Sequence, residues 1–304
     1  SQFDWSRLTA PFQNPAPTNA SLVIAGHDLA PAVIDNLALR YHRDYPALEM
    51  SLLGGGTHLA LENLVNKQAA VAFLTRPPTP AEQDLFRQVD GDTAIVEPVA
   101  VGGLLLLAGA EVLVAAPDDT NTTSLTTTEV SGLLAGDLQG LCDRFYAADP
   151  NYGHWAAAAQ LLGRDPEPTD APTVTYLATD QEVVRAVTND PRALGMVVSF
   201  DLSSASASTF DSPADSVPGP RLVPISGPDG GPPAAPTYEN VASGDYPLFV
   251  SLMVACRTNG GIEGAKFVTH LASGPGQRQI ERNGCIPARR VLREVILKTE
   301  TLVQ

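Results

Sequence analysis

The sequence predicts an α/β protein with largely parallel sheets. Three observations carry this. Apolar runs of strand length alternate with helix-period segments through both halves of the chain. Two of those runs, residues 21–25 and 47–53, end in small-residue loops, Gly26-His27-Asp28-Leu29 and Gly54-Gly55-Gly56-Thr57-His58, each of which opens a helix. A third run, residues 69–73, stops at Leu74-Thr75-Arg76. Loops at the ends of neighbouring parallel strands gather on one sheet edge. There, helix N-terminal N–H groups, hydroxyls and a guanidinium can surround an anion.

The elements follow in order. Residues 1–20 carry Pro11, Pro15 and Pro17 and read as an extended arm or linker, with Phe3, Trp5 and Phe12 available to dock it. A helix is expected over residues 31–45, because Val33, Ile34, Leu37, Leu39 and Tyr41 give it apolar spacing. Residues 59–67 form the next. Thr79-Pro80-Ala81-Glu82 opens another, with Pro early and an acid in the first turn. Residues 99–116 are apolar but interrupted by Gly102, Gly103, Gly109 and Glu111, so they read as two buried strands. No apolar stretch reaches the roughly 20 residues of a membrane span.

Ser124-Leu125-Thr126-Thr127-Thr128-Glu129 resembles a capping box before a helix. Arg144 falls on a strand. Asp149-Pro150-Asn151-Tyr152-Gly153 is a tight loop, and a helix is expected over 154–162. A short helix covers 181–188, and Pro191 to Gly195 lead into the strand 196–198. Residues 201–237 are rich in Ser, Pro and Gly and read as loop. A strand is expected at 247–256, then helices over 264–271, 276–283 and 288–299.

Composition narrows the function. A chain of 304 residues with 44% apolar residues can build two cores. A net charge of −15 repels nucleic acid and anionic membranes. An anion site on such a protein must be a local pocket of backbone dipoles and a few arginines. A start at Ser1 fits a mature secreted protein or a trimmed one. The three cysteines, Cys142, Cys256 and Cys285, have no metal spacing. A Cys256–Cys285 bridge is one option, and buried free thiols are the commoner one. No nucleophile elbow, Walker A loop or His-Glu-x-x-His motif occurs, so neither enzyme activity nor a metal or cofactor is expected.

Several stretches resemble the periplasmic phosphate-binding proteins of ABC importers. Gly56-Thr57 before Leu59-Ala60-Leu61-Glu62 is similar to that family's Gly-Ser-Gly helix start. Leu74-Thr75-Arg76-Pro77 is similar to its Ala-Ser-Arg-Pro-like turn. Residues 125–137 resemble its "Leu-Thr … Leu … Ile-Phe-x-Gly" helix, and Ala193-Leu194-Gly195-Met196 its "Ala-Ile-Gly-Tyr". Gly244-Asp245-Tyr246-Pro247-Leu248 resembles "Gly-x-Tyr-Pro-Leu". Ser273-Gly274-Pro275-Gly276-Gln277 with Gly284-Cys285-Ile286-Pro287 resembles "Ser-x-x-Gly-Gln … Gly-Tyr-x-Pro". The resemblance implies a two-lobed type-2 periplasmic binding protein fold: two mostly parallel sheets flanked by helices and joined by two hinge strands. Lobe one is then 21–98 plus 246–304, and lobe two 99–245. The hinges lie near Pro98-Val99-Ala100 and Tyr246-Pro247-Leu248.

It also implies a periplasmic or extracellular monomer, tethered at the N-terminus or not, that binds a small oxyanion, phosphate first, for an ABC permease. The sequence departs from the pattern in the lobe-two anion loop, where Ala147 takes the place of Arg and Asp149 to Gly153 replace Ser-Gly-Thr. This favours an alternative: a module without tight phosphate binding that acts as a sensor or interaction domain, or takes another small ligand.

The candidate ligand-binding residues are these. Gly56 leaves room for close approach, while Thr57 and Thr75 offer hydroxyls, or else cap a helix and a turn. Arg76 and Arg144 offer guanidinium forks, or else surface ion pairs. His27, Asp28 and Leu29 open the first helix, where Asp28 is an N-cap or an acceptor for a protonated ligand oxygen. Asn151, Tyr152 and Gly153, followed by His154, offer amide N–H groups, a ring and an imidazole, or else form only a capped turn.

Overall fold

The computed structural model describes residues 20–112, 124–138, 140–200 and 219–289. The expected arm, the strand expected at 112–115 and the helix expected over 288–299 lie almost wholly outside the described residues. The chain runs β1 (Ser21–Ala25), α1 (Pro31–Asp44), β2 (Glu49–Leu53), α2 (Thr57–Val65), β3 (Val71–Leu74) and α3 (Pro80–Asp90). Next come β4 (Ile95–Ala108), β5 (Leu125–Thr126), α4 (Thr127–Leu134), β6 (Arg144–Ala148), α5 (His154–Leu161), β7 (Val174–Leu177) and α6 (Asp180–Asn189). The remainder is β8 (Ala193–Ser199), β9 (Arg221–Leu222), β10 (Ile225–Ser226), α7 (Tyr238–Ser243), β11 (Phe249–Cys256), α8 (Ile262–Ala272), α9 (Gly274–Arg282) and β12 (Ile286–Pro287).

The main sheet has the order β2-β1-β3-β11-β4-β8-β6-β7. β1 is parallel to β2 and β3, and β6 is parallel to β7 and β8. β4 joins the two parallel sets. Its residues Ile95 to Gly103 pair antiparallel with β11, and Gly103 to Ala108 pair antiparallel with β8. The interruption at Gly102 and Gly103 therefore lies inside one 14-residue strand, at the crossing between the halves. Gly102 permits the crossing, because a Cβ there would lie 2.4 Å from the Ser199 carbonyl oxygen. Pro98 cannot donate to the ladder, and the register slips beside it, between Leu252 and Met253.

Strand alternation builds a core on each face of the first half. Leu22, Ile24, Val71 and Phe73 pack with α1 and α8, whereas Ala25, Ala72 and Leu74 pack with α2 and α3. The second half has its own core, in which Leu104, Leu106, Phe145, Trp155, Val183 and Tyr246 meet. The Tyr246 hydroxyl, fully buried, donates to the Leu104 carbonyl at 2.7 Å.

Caps set the helix ends where the sequence placed them. Thr79 with Glu82 and Thr126 with Glu129 form complete capping boxes. Gln277, 1% exposed, donates to the carbonyls of Val99 and Leu271, and its side-chain oxygen accepts the Arg289 N–H. It thereby ties α9 to the crossing strand. The three cysteines are buried and unbridged.

Candidate functional site

Loops of the two halves meet at the C-terminal ends of β1, β2, β3 and β6. Gly56 precedes α2, and the close approach expected there is made by the protein's own Asn151–Tyr152 backbone. A Cβ on Gly56 would lie 2.5 Å from Tyr152 Cα and 2.7 Å from the Asn151 carbonyl oxygen. Thr57 is fully buried and Thr75 is 2% exposed. The Thr75 N–H donates to Thr57 Oγ1 at 3.0 Å, and the two hydroxyls lie 3.1 Å apart. The Thr75 hydroxyl donates to the Tyr152 carbonyl at 2.8 Å. Gly153, with φ 88°, turns the chain into α5 directly against both threonines. Gly56, Thr57, Thr75, Tyr152 and Gly153 are thus brought together, and they touch one another.

Arg76 does not join them. Its guanidinium forks onto Glu82 at 2.7 and 2.8 Å and also reaches the Pro77 carbonyl. The reason is local: the α3 capping box holds the Glu82 carboxylate on the Thr79 N–H, beside Arg76. Burial raises the Glu82 pKa, but the Arg76 and Thr79 bonds outweigh burial and hold it below the usual carboxylate range. Arg144 is also elsewhere. It is the exposed first residue of β6, and the loop lies past the last residue, Ala148, about 13 Å along the strand. Asn151 is exposed, with its N–H on Asp149. His27 turns to Asp35 at 3.0 Å.

Beside the threonine contact lies a cleft of about 470 Å³ lined from both halves. Asp28, Leu29 and the first turn of α1 form one wall. Tyr152, the first turn of α6 from Thr179 to Gln181, and Val198 to Phe200 form the rest. Asp28 accepts the Gly55 N–H at 2.6 Å. Asp180 accepts the Val198 N–H at 3.1 Å and faces the buried His154 ring at 3.4 Å. Both His154 ring nitrogens lack a hydrogen-bond partner among the described residues. The Tyr152 phenol is pushed up, by burial first and then by the Asp28 and Asp180 carboxylates. No Arg or Lys lines this cleft among the described residues; its charged side chains are the two aspartates.

Asp180 and its neighbours are the residues that the sequence reading leaves out. The signal exists: Val174-Thr175-Tyr176-Leu177 is a strand pattern, and Thr179 caps the helix after it. That is the same strand, loop and helix order that marks Asp28.

Two α/β halves, joined by the crossing strand β4 beside a cleft, have the architecture of a two-lobed periplasmic-binding-protein-like fold. Residues 13–274 match the family model described as a PBP superfamily domain. The chain belongs to the PBP superfamily, the group of periplasmic-binding-protein-like folds. Among solved structures, one described as a phosphate ABC transporter substrate-binding protein with bound phosphate, from Clostridium perfringens, is 16% identical. It matches with a TM-score of 0.63 over 88% of this chain and 100% of that one. An ABC-type phosphate transport receptor from Vibrio cholerae is also 16% identical, with a TM-score of 0.62 and the same coverage. The reduced OxyR regulatory domain from Pseudomonas aeruginosa is 14% identical, with a TM-score of 0.51 over 88% of this chain and 100% of that one. No curated protein matches by sequence.

Proposed function

We propose that this chain is an extracytoplasmic solute-binding protein whose ligand is a small organic molecule bearing an amine or a similar hydrogen-bond donor. The lobes in this reading divide at Gly103, where β4 passes from β11 to β8: Val99 and Ala100 pack in the first core, and Tyr246 and Leu248 in the second. The observation that carries the ligand class is the charge of the cleft: Asp28 and Asp180 are its charged side chains among the described residues. A donor group satisfies these carboxylates better than an oxyanion does. Leu29, Val33, Val198 and Phe200 receive the apolar part. The uncapped first turn of α1, at Ala32 and Val33, offers N–H groups to an acceptor on the same solute. Capture would proceed by closure of the halves, with delivery to an ABC permease as the transport role. The reading is one of binding, not turnover.

One observation favours phosphate as a second reading. Thr57, Thr75 and the glycines Gly56 and Gly153 form a compact cluster of hydroxyls and backbone, and withdrawal of the Tyr152 carbonyl would free the Thr75 hydroxyl for an oxyanion.

A melting assay with calorimetry separates the two. Free amino acids, polyamines and quaternary amines are titrated alongside phosphate. Saturable stabilisation by an amine-bearing solute, lost in Asp28→Asn and Asp180→Asn, supports the first reading. Saturable stabilisation by phosphate, lost in Thr75→Val, replaces it with the second.

A further inference from the structure

A second concave site lies along α1, about 13–18 Å from the helix start that faces the cleft. It is a groove of about 490 Å³ between α1 and α9. Arg40 and Arg43 line it from α1, and Arg278 and Arg282 from α9. Their spacings are i,i+3 and i,i+4, so each pair projects from adjacent turns of one helix face. Like charges at that spacing repel, and here two such pairs surround one hollow. The concentration runs against the charge of the chain, which has 19 Lys and Arg against 34 Asp and Glu.

Little within the protein neutralises the four guanidinium groups. Asp44 is the carboxylate in the lining, 3.9 Å from Arg40. Among the described residues, Arg43, Arg278 and Arg282 have no carboxylate partner. Arg43 and Arg282 stand in last helical turns, where a cation complements the helix dipole. Arg40 and Arg278 do not, so the dipole accounts for only half of the set.

Buried polar atoms also lie behind the groove lining. His270 Nε2 and Asn283 Nδ2 are buried atoms of residues that line the groove, and neither has a hydrogen-bond partner among the described residues. Buried polar atoms without partners are rare. Burial holds the His270 imidazole toward its neutral form, against the opposing effects of Asp44 and of a side-chain hydrogen bond with Gln279. The groove thus gathers four guanidinium forks around one hollow.

We propose that this groove is a second ligand site, for a small soluble oxyanion carrying more than one negative charge, of the pyrophosphate or phosphate-ester class. Guanidinium groups bind phosphate oxygens bidentately, and four of them around one hollow match several oxygens at once. The volume is that of a small-molecule site and exceeds what a single phosphate fills. The site is independent of the interlobe cleft and of the ligand proposed there.

The test is calorimetric titration of inorganic pyrophosphate into the full chain at low ionic strength. Saturable binding that weakens as salt rises is expected. Charge reversal in Arg43→Glu with Arg278→Glu should cost at least about tenfold in affinity. Arg278→Gln, an exposed single change, provides the second variant and should weaken binding severalfold without altering the melting curve. The cleft variant Thr75→Val should leave pyrophosphate affinity unchanged. Absence of saturable binding overturns the proposal, as does affinity that survives both groove variants or is lost in the cleft variant instead. Binding to anionic-lipid vesicles without binding of soluble pyrophosphate also overturns it, in favour of a membrane-facing surface.

Discussion

The Thr75 hydroxyl donates to the Tyr152 carbonyl across 77 residues of sequence, at 2.8 Å. Thr75 directly follows β3 in the first half, and Tyr152 ends the turn after β6 in the second. The bond joins the halves where their loops converge, and it is nearly dry, because Thr75 is 2% exposed. The hydroxyl most available to an oxyanion is therefore already spent on the protein.

Thr75→Val keeps the shape and removes this donor. The Tyr152 carbonyl then loses its partner in a part-buried place. A loss of about 1–3 kcal/mol is expected, read as a drop in denaturation midpoint at unchanged slope. An unchanged midpoint would mean that the contact does not hold the halves together in solution.

Gly56→Ala tests the same closeness by steric means. Gly56 has φ −85°, so its backbone tolerates alanine. The cost falls on the Tyr152 and Asn151 backbone within 2.7 Å of the new Cβ. Expected are a loss of about 1–3 kcal/mol and a larger radius of gyration by small-angle scattering. Gly153→Ala should cost more, because it adds strain at φ 88° to contact with both threonines.

The Arg76–Glu82 pair predicts a pH dependence. The Glu82 pKa is held below its unfolded value, so its stabilisation is present above the unfolded pKa and fades as pH falls through the folded one. Glu82→Gln should cost about 1–2 kcal/mol at neutral pH. The difference from the parent should shrink as pH falls below about 4. Parallel melting curves at all pH values would remove the ion pair as the cause.

Burial is the main cause that pushes the Cys142 thiol up to about 11 and the Cys256 thiol up to about 12. Cys285 is fully buried. A thiol kept protonated and covered does not react as a thiolate. Ellman's reagent at mildly alkaline pH should label none of the three in the native protein and all three in denaturant. Rapid native labelling of any one would contradict its placement.

Much was legible in the chain itself. Strand runs, helix periods and the capping boxes at Thr79 and Thr126 depend on residues a few positions apart, so local sequence determined the order and most bounds of the elements. It also determined that the loops at Gly26, Gly56 and Gly153 would open helices. What these loops meet was a tertiary matter. From sequence Arg76 could serve either an anion or an ion pair, and the three-dimensional course of the α3 cap decides for Glu82. Asp180 comes to face Asp28 across a cleft, and Arg278 to face Arg43 across a groove, only because distant segments pack side by side. Periodicity reports which face of an element is apolar; it carries no record of which other element lies opposite, and charge and ligand chemistry are set by that opposition.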